Sequence, residues 1–288
     1  MTNKTAISIV GLPLFLLVLL SVVVRAEADT NKIVSIGGSV TEIVFALGEE
    51  DRLIARDTTS NYPSEALILP DVGYIRALSP EGVLSVDPDM ILALEGSGPP
   101  EAFEVLKKAS VPVVTIPEGY DRDAIVAKIR AVGDALGVSE KADALAAKVE
   151  ADVLEAEQFS ESNGSAKRVL FILTLRDGRV MAAGTETGAA GIIEMAGGIN
   201  AVSEISGYKQ ISDEAVITAA PEVILMMSRG GNHGINDETL MAHPALATTP
   251  AVQNGTIIRM GGQYLLGFGP RTAEAIRDLS RALQRQND

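Results

Sequence analysis

The sequence predicts an α/β protein of two lobes with mainly parallel sheets, joined by one long helix. Three observations carry this. Short apolar runs alternate with helical patterns along the chain, which is the signature of βαβ units and parallel sheets. A segment of the first half recurs in the second half at a constant offset. Between the halves, helical periodicity runs from Ser139 to about Ser160, with Leu145, Val149 and Val153 on one stripe; a helix of about 20 residues spans roughly 30 Å.

The elements follow in order. Ile33-Val34-Ser35-Ile36 reads as a buried strand ending at Gly37-Gly38-Ser39, and Thr41 to Leu47 as a helix stopped by Gly48. Leu53-Ile54-Ala55 is a strand that opens into Arg56 and the polar loop to Pro63. Met90 to Leu94 is a strand ending in a Gly/Pro loop, Glu101 to Ala109 a helix, and Val113 to Ile116 a further strand. Asp121 to Leu136 is an amphipathic helix ended by Gly137, and Ser139 suits the N-cap of the long helix. The alternation then restarts: Val169 to Leu173 is a strand, Gly191 to Met195 lies in a helix, Val223 to Met227 and Thr256 to Met260 are strands, and Thr272 to Leu283 is the last helix.

The recurring segment runs from Ser79 to Leu92 and aligns without gaps to Ser212 to Leu225, at an offset of 133 with six of 14 positions identical. Each copy reads as an N-capped short helix, a Pro-acid turn and a buried strand. The shared Ser-x-Glu start favours duplication of a lobe over chance recurrence of a common α/β unit. The expected layout is a signal peptide at 1–26, an α/β lobe at 27–138, a connecting helix at 139–160 and a second α/β lobe at 161–288.

Composition excludes several functions. With 24 Lys+Arg against 38 Asp+Glu, the net charge of −14 argues against nucleic acid, whose phosphates need clustered bases. The absence of Cys removes disulfides, thiolate metal sites, thiol nucleophiles and a lipid-anchored amino-terminal Cys. Two His cannot form an all-His metal cage, and no Gly-x-Ser-x-Gly, P-loop or Gly-x-Gly-x-x-Gly is present. No recognisable catalytic set emerges, so an enzyme is not expected. Lys4 precedes an apolar run from Ala6 to Val24, followed by small-residue cleavage patterns ending at Ala26 and Ala28. An exported protein, cleaved near Ala26 or Ala28, is expected in preference to a membrane anchor.

Ligands of open parallel sheets bind beyond the carboxyl ends of the strands. Arg56, Arg176 and Arg229 follow such ends and suit an anionic ligand, although each alone reads as a solvated arginine. Pro70 to Glu81 stands apart, because Tyr74 and Arg76 would share one side of an extended stretch. A guanidinium beside a phenol favours the phenolate, a hard ligand for ferric iron, and Tyr is one of the axial ligands found in haem proteins. From spacing alone, the simpler reading is a ring packed on the lobe surface beside an unrelated Arg.

The chain resembles the haem-binding periplasmic proteins of bacterial haem ABC importers, a class of solute-binding proteins whose lobes are joined by one rigid helix. The resemblance rests on Ile33 to Gly48, Thr58 to Pro63, Val72-Gly73-Tyr74-Ile75-Arg76-Ala77-Leu78-Ser79-Pro80-Glu81-Gly82, Ala183 to Gly188, Gly197 to Asn200, Tyr208-Lys209 and Leu265-Leu266-Gly267-Phe268-Gly269-Pro270-Arg271. The Gly-Tyr-x-Arg and Leu-Leu-Gly-Phe-Gly-Pro-Arg segments are the specific ones. The resemblance implies a monomeric periplasmic protein that carries haem to an inner-membrane ABC permease and serves an outer-membrane haem receptor only indirectly. It implies Tyr74 as axial ligand of the haem iron; Tyr62, in its own cleft-side loop, is the runner-up. Arg76 would pair with a propionate, Arg229 would contact the Tyr74 oxygen or a propionate, and Arg176 would meet a propionate where some relatives carry a His. Glu81 and Glu214 would meet permease arginines, one per lobe; otherwise they are ordinary helix-start carboxylates. A cobalamin or ferric-siderophore binder of the same fold is the alternative, and an exported α/β enzyme the more distant one.

Overall fold

The computed structural model describes residues 32–163, 166–228 and 235–285. The predicted signal segment, Arg229 and His233 lie outside these residues. The first lobe runs β1 (Ile33–Ile36), α1 (Gly38–Ala46), β2 (Leu53–Arg56), α2 (Pro80–Leu84), β3 (Met90–Leu94), α3 (Pro100–Lys108), β4 (Val113–Ile116) and α4 (Arg122–Leu136). Its four strands form a parallel sheet in the order β2-β1-β3-β4. The long helix α5 (Ser139–Asn163) follows; Ser139 is its first residue, and its hydroxyl donates to Asp134 at 2.6 Å.

The second lobe runs β5 (Arg168–Arg176), β6 (Arg179–Ala183), α6 (Gly188–Met195), β7 (Ile199–Asn200), β8 (Tyr208–Ile211), α7 (Asp213–Ala219), β9 (Val223–Ser228), α8 (Asp237–Ala242), α9 (Pro250–Gln253), β10 (Ile257–Gly261), α10 (Gly262–Leu266) and α11 (Thr272–Gln284). Its sheet has the path β10-β9-β5-β6-β8, with β7 beside the start of β5. The β10, β9, β5 and β7 pairings are parallel, whereas β6 pairs antiparallel with β5 and β8.

That hairpin departs from the sequence reading. β5 continues past Leu173 to Arg176 and turns back through Asp177 (φ 51°) and Gly178 (φ 72°). Two consecutive residues at positive φ make the tight turn whose twist matches that of antiparallel strands, and Asp-Gly is a preferred pair for it.

Strand alternation sorts the core into layers. Ile33, Met90 and Leu92 face inward with Val40 and Ile43 of α1 and Ile125 and Ile129 of α4, while Val34, Ile36, Ile91 and Ala93 form a separate cluster with Val83 and Leu106 of the outer helices. In the second lobe, Val169, Phe171, Val223 and Leu225 face inward, and Leu170, Ile172, Ile224 and Met226 face out under α7, α8 and α9. The two inward faces share one apolar cluster, continued through Ala142, Ala146, Val149 and Val153 of α5 and Ile276 and Leu279 of α11. A wide hinge would expose this shared core to water at about 25 cal/mol per Å², so the fold favours small rocking over wide opening.

Close contact at the seam demands glycine. A Cβ on Gly191 of α6 would lie 2.3 Å from the Tyr120 carbonyl oxygen and 2.8 Å from the Tyr120 Cβ. The ring of Tyr120 in turn meets Phe268 edge-on, with centroids 5.4 Å apart. Gly191→Ala is therefore expected to force the lobes apart locally and cost about 1–3 kcal/mol. Chemical denaturation checks this: an unchanged midpoint would mean that the seam yields freely. No helix among the described residues is long and apolar enough to cross a membrane.

Candidate functional site

The carboxyl ends of the first sheet are organised by one buried carboxylate. Asp57 accepts hydrogen bonds from Gly37 N (2.8 Å), Thr59 N (2.9 Å), Thr59 Oγ1 (2.6 Å) and Ser60 Oγ (2.7 Å). It thereby ties the end of β1 to the loop after β2. Arg56, expected as a free cleft base, is instead buried: its Nη1 donates to Asp71 Oδ2 at 2.9 Å and to the Asp57 carbonyl at 3.1 Å. The guanidinium is held by its neighbours because β2 also pairs at Arg56 with Asp71 of the next loop.

That loop carries Tyr74 and Arg76. Gly73 N donates to Asp71 Oδ1 (2.8 Å) and Gly73 O accepts from Thr58 N (2.9 Å), which fixes the approach. Ala77 N then donates to Tyr74 O at 2.7 Å, so the segment is a tight turn, and the condition for the two side chains to share a side of an extended stretch is not met. The turn is anchored to the loop after β3 by Gly98 N to Ile75 O (2.8 Å) and Leu78 N to Gly98 O (3.0 Å). Tyr74 is left 49% exposed. Arg76 is exposed, and among the described residues no carboxylate stands within ion-pairing distance of it.

Two further phenols lie within reach of the Arg76 charge. Tyr120 follows the end of β4, and Tyr208 begins β8 of the other lobe, edge-on to Phe171 at 6.3 Å between centroids. Burial raises the Tyr120 phenol, helped by Glu118 and opposed by Arg76. Burial pushes Tyr208 up to about 12, helped by Tyr120 and opposed by Arg76 and a backbone hydrogen bond from Ala189. Both phenols are thus neutral hydroxyls at neutral pH. The sequence reading passed over Tyr120, although it follows a strand end within four residues; Tyr208 was noticed only as part of a resemblance.

Tyr62 occupies a different place. The Arg271 guanidinium stacks 3.3 Å from its ring centroid, and Arg271 also grips Glu42 through Nε (3.0 Å) and Nη2 (2.8 Å). Glu42 lies on α1 and Arg271 heads α11, so the contact crosses from one lobe to the other. Arg176 is exposed at the tip of the β5–β6 hairpin opposite Arg179, next to the turn where His243 Nε2 meets the Gly178 carbonyl at 2.8 Å. Arg229 lies outside the described residues.

Glu81 and Glu214 are placed alike. Ser79 caps α2 by accepting from Gly82 N, and Ser212 caps α7 by accepting from Ala215 N. Both carboxylates are exposed in the first turn, each just before a buried parallel strand. The Ser79 hydroxyl and its own backbone N–H hold Glu81 below the usual carboxylate range; for Glu214 the backbone N–H contributes most, then Ser212.

A family model described as periplasmic binding protein matches residues 33–264. The periplasmic haem-binding protein BhuT, solved in complex with two haems, superposes with a TM-score of 0.84 at 36% identity, covering 89% of this chain and 99% of that chain. RhuT from Roseiflexus sp. RS-1, a periplasmic haem-binding protein in apo form, gives 0.85 at 36% identity over 90% and 100%. Among curated proteins, the ABC transporter substrate-binding lipoprotein YvrC of Bacillus subtilis is 25% identical over 263 residues, covering 90% of this chain and 82% of its own. A vitamin B12-binding protein of Vibrio parahaemolyticus is 26% identical over 268 residues, covering 92% of each.

Proposed function

The chain belongs to the periplasmic binding protein family, and on that premise we propose that it takes haem into the cleft between its lobes and delivers it to an inner-membrane ABC permease. The observation that carries this reading is the Tyr74–Arg76 turn: an exposed phenol two residues from a guanidinium with no ion-pair partner among the described residues, over the strand ends of the first sheet. Tyr74 supplies the oxygen for ferric iron, and Arg76 pairs with a propionate. Arg229 and Arg176 are the second lobe's candidates for propionate contact. Tyr62 is the alternative iron ligand; Arg271 stacks on one face of its ring, and the residue stays 40% exposed. Glu81 and Glu214 present one carboxylate per lobe to the permease. Residues 1–26 act as the export signal, cut at Ala26 or Ala28, and the protein works as a periplasmic monomer, with any outer-membrane haem receptor involved only indirectly. The protein's part is binding and release, with no bond of the ligand made or broken.

Cobalamin is the second reading, favoured by the names of the Vibrio relatives. The haem-binding structures are more similar, at 36% identity against 26%. Titration of the purified protein separates the two. Hemin is expected to produce a saturating band in the Soret region, and cobalamin or a ferric siderophore no spectral change. A response to cobalamin alone would overturn the haem reading.

A further inference from the structure

We propose that Glu42, Arg271, Tyr62 and Gln263 form an inter-lobe clamp that sets the opening of the cleft whether or not a ligand is bound. The four residues come from opposite sides of the seam, α1 and the loop after β2 on one, α10 and the head of α11 on the other. Arg271 makes three bonds to the Glu42 carboxylate, from its backbone N (3.1 Å), Nε (3.0 Å) and Nη2 (2.8 Å), while its flat face lies on Tyr62. Tyr264 stands at 5.3 Å from the same guanidinium. Gln263 Nε2 donates to the Gly38 carbonyl (2.8 Å) and to Glu42 Oε2 (3.4 Å), and its Oε1 accepts from Asn61 N (2.9 Å).

The remainder of the seam is the apolar packing of Phe268 and Gly191 against Tyr120, with one long polar contact at 3.5 Å from the buried Lys128 Nζ, which is ion-paired within its own lobe to Glu118, to the Gly267 carbonyl. Such packing is non-directional and tolerates sliding of one lobe over the other. A bidentate fork stacked on a ring is satisfied in one relative orientation only. Glu42 is 5% exposed, so water cannot readily replace its partner when the lobes shift. Arg271 is therefore a positioning residue for the cleft, and any partner that spreads the lobes must break this cluster.

The chain has no Cys, so an introduced pair can be labelled specifically. Val105→Cys on α3 and Ile217→Cys on α7 place nitroxides on exposed outer helices of the two lobes. Pulsed electron resonance on the ligand-free full chain is expected to give one narrow distance distribution. Adding Arg271→Met should at least double its width, and Arg271→Lys, which keeps charge without the fork, should give an intermediate width. An unchanged width in a folded Arg271→Met protein would overturn the proposal. Should that variant not fold, Tyr62→Leu with Gln263→Ala removes the stack and the amide bridge while keeping the ion pair; an unchanged width there would overturn it equally.

Discussion

Tyr74→Ala is expected to lose most of the absorbance that the wild-type chain gains on titration with hemin, with affinity falling by more than about 100-fold. Loss of a supporting residue around a metal typically costs about 10–100-fold, and loss of the ligand itself should cost more. Thermal unfolding should move little, because the Tyr74 side chain is 49% exposed and the turn is held through its backbone. Tyr74→Phe is the sharper variant, since it keeps the ring and removes only the oxygen. If it binds hemin with the wild-type spectrum, the iron is held elsewhere. Arg76→Ala should weaken binding by about 10–100-fold and leave the charge-transfer bands of the coordinated iron in place.

Glu81→Ala combined with Glu214→Ala should lower haem uptake by cells at least tenfold and leave hemin titration unchanged. The two side chains lie on the surface, and their serine caps remain in the double variant. Each single variant should fall between, as two equivalent contacts to a two-fold partner would. Both carboxyls titrate below the ordinary range, so they lose their charge only as pH falls through those lowered values. Docking should thus keep its strength over roughly pH 5–8. Normal transport by the double variant would refute this docking surface.

Much of the scaffold was readable because it is written locally. Ile33 to Ile36 and Met90 to Leu94 are short, mainly apolar runs, as strands covered on both faces must be, and Val113 to Ile116 is a similar run at the sheet edge, where it is only partly buried. Asp121 and Gly137 bound α4 as expected: the Asp121 side chain accepts from Ala124 N, and Gly137 adopts the left-handed conformation. The repeated Ser-x-Glu starts fold into matching capped helices. The β5–β6 hairpin was missed although its Asp-Gly pair stood in plain view, because the segment between Leu173 and Gly191 was given no strand of its own.

Chain-local chemistry accounts for the strands, the caps and the pairing of a Tyr with an Arg two residues on, since each depends on residues within a turn or two of one another. What it leaves open is which polar groups remain available once the chain is folded. Arg56 and Tyr62 looked like cleft residues; Asp71 pairs with the first and Arg271 stacks on the ring of the second, while no ion-pair partner of Arg76 stands among the described residues. Glu42 meets Arg271 across 229 positions of sequence. Partners so distant are selected by how two sheets pack on a common helix, and no local pattern records that geometry.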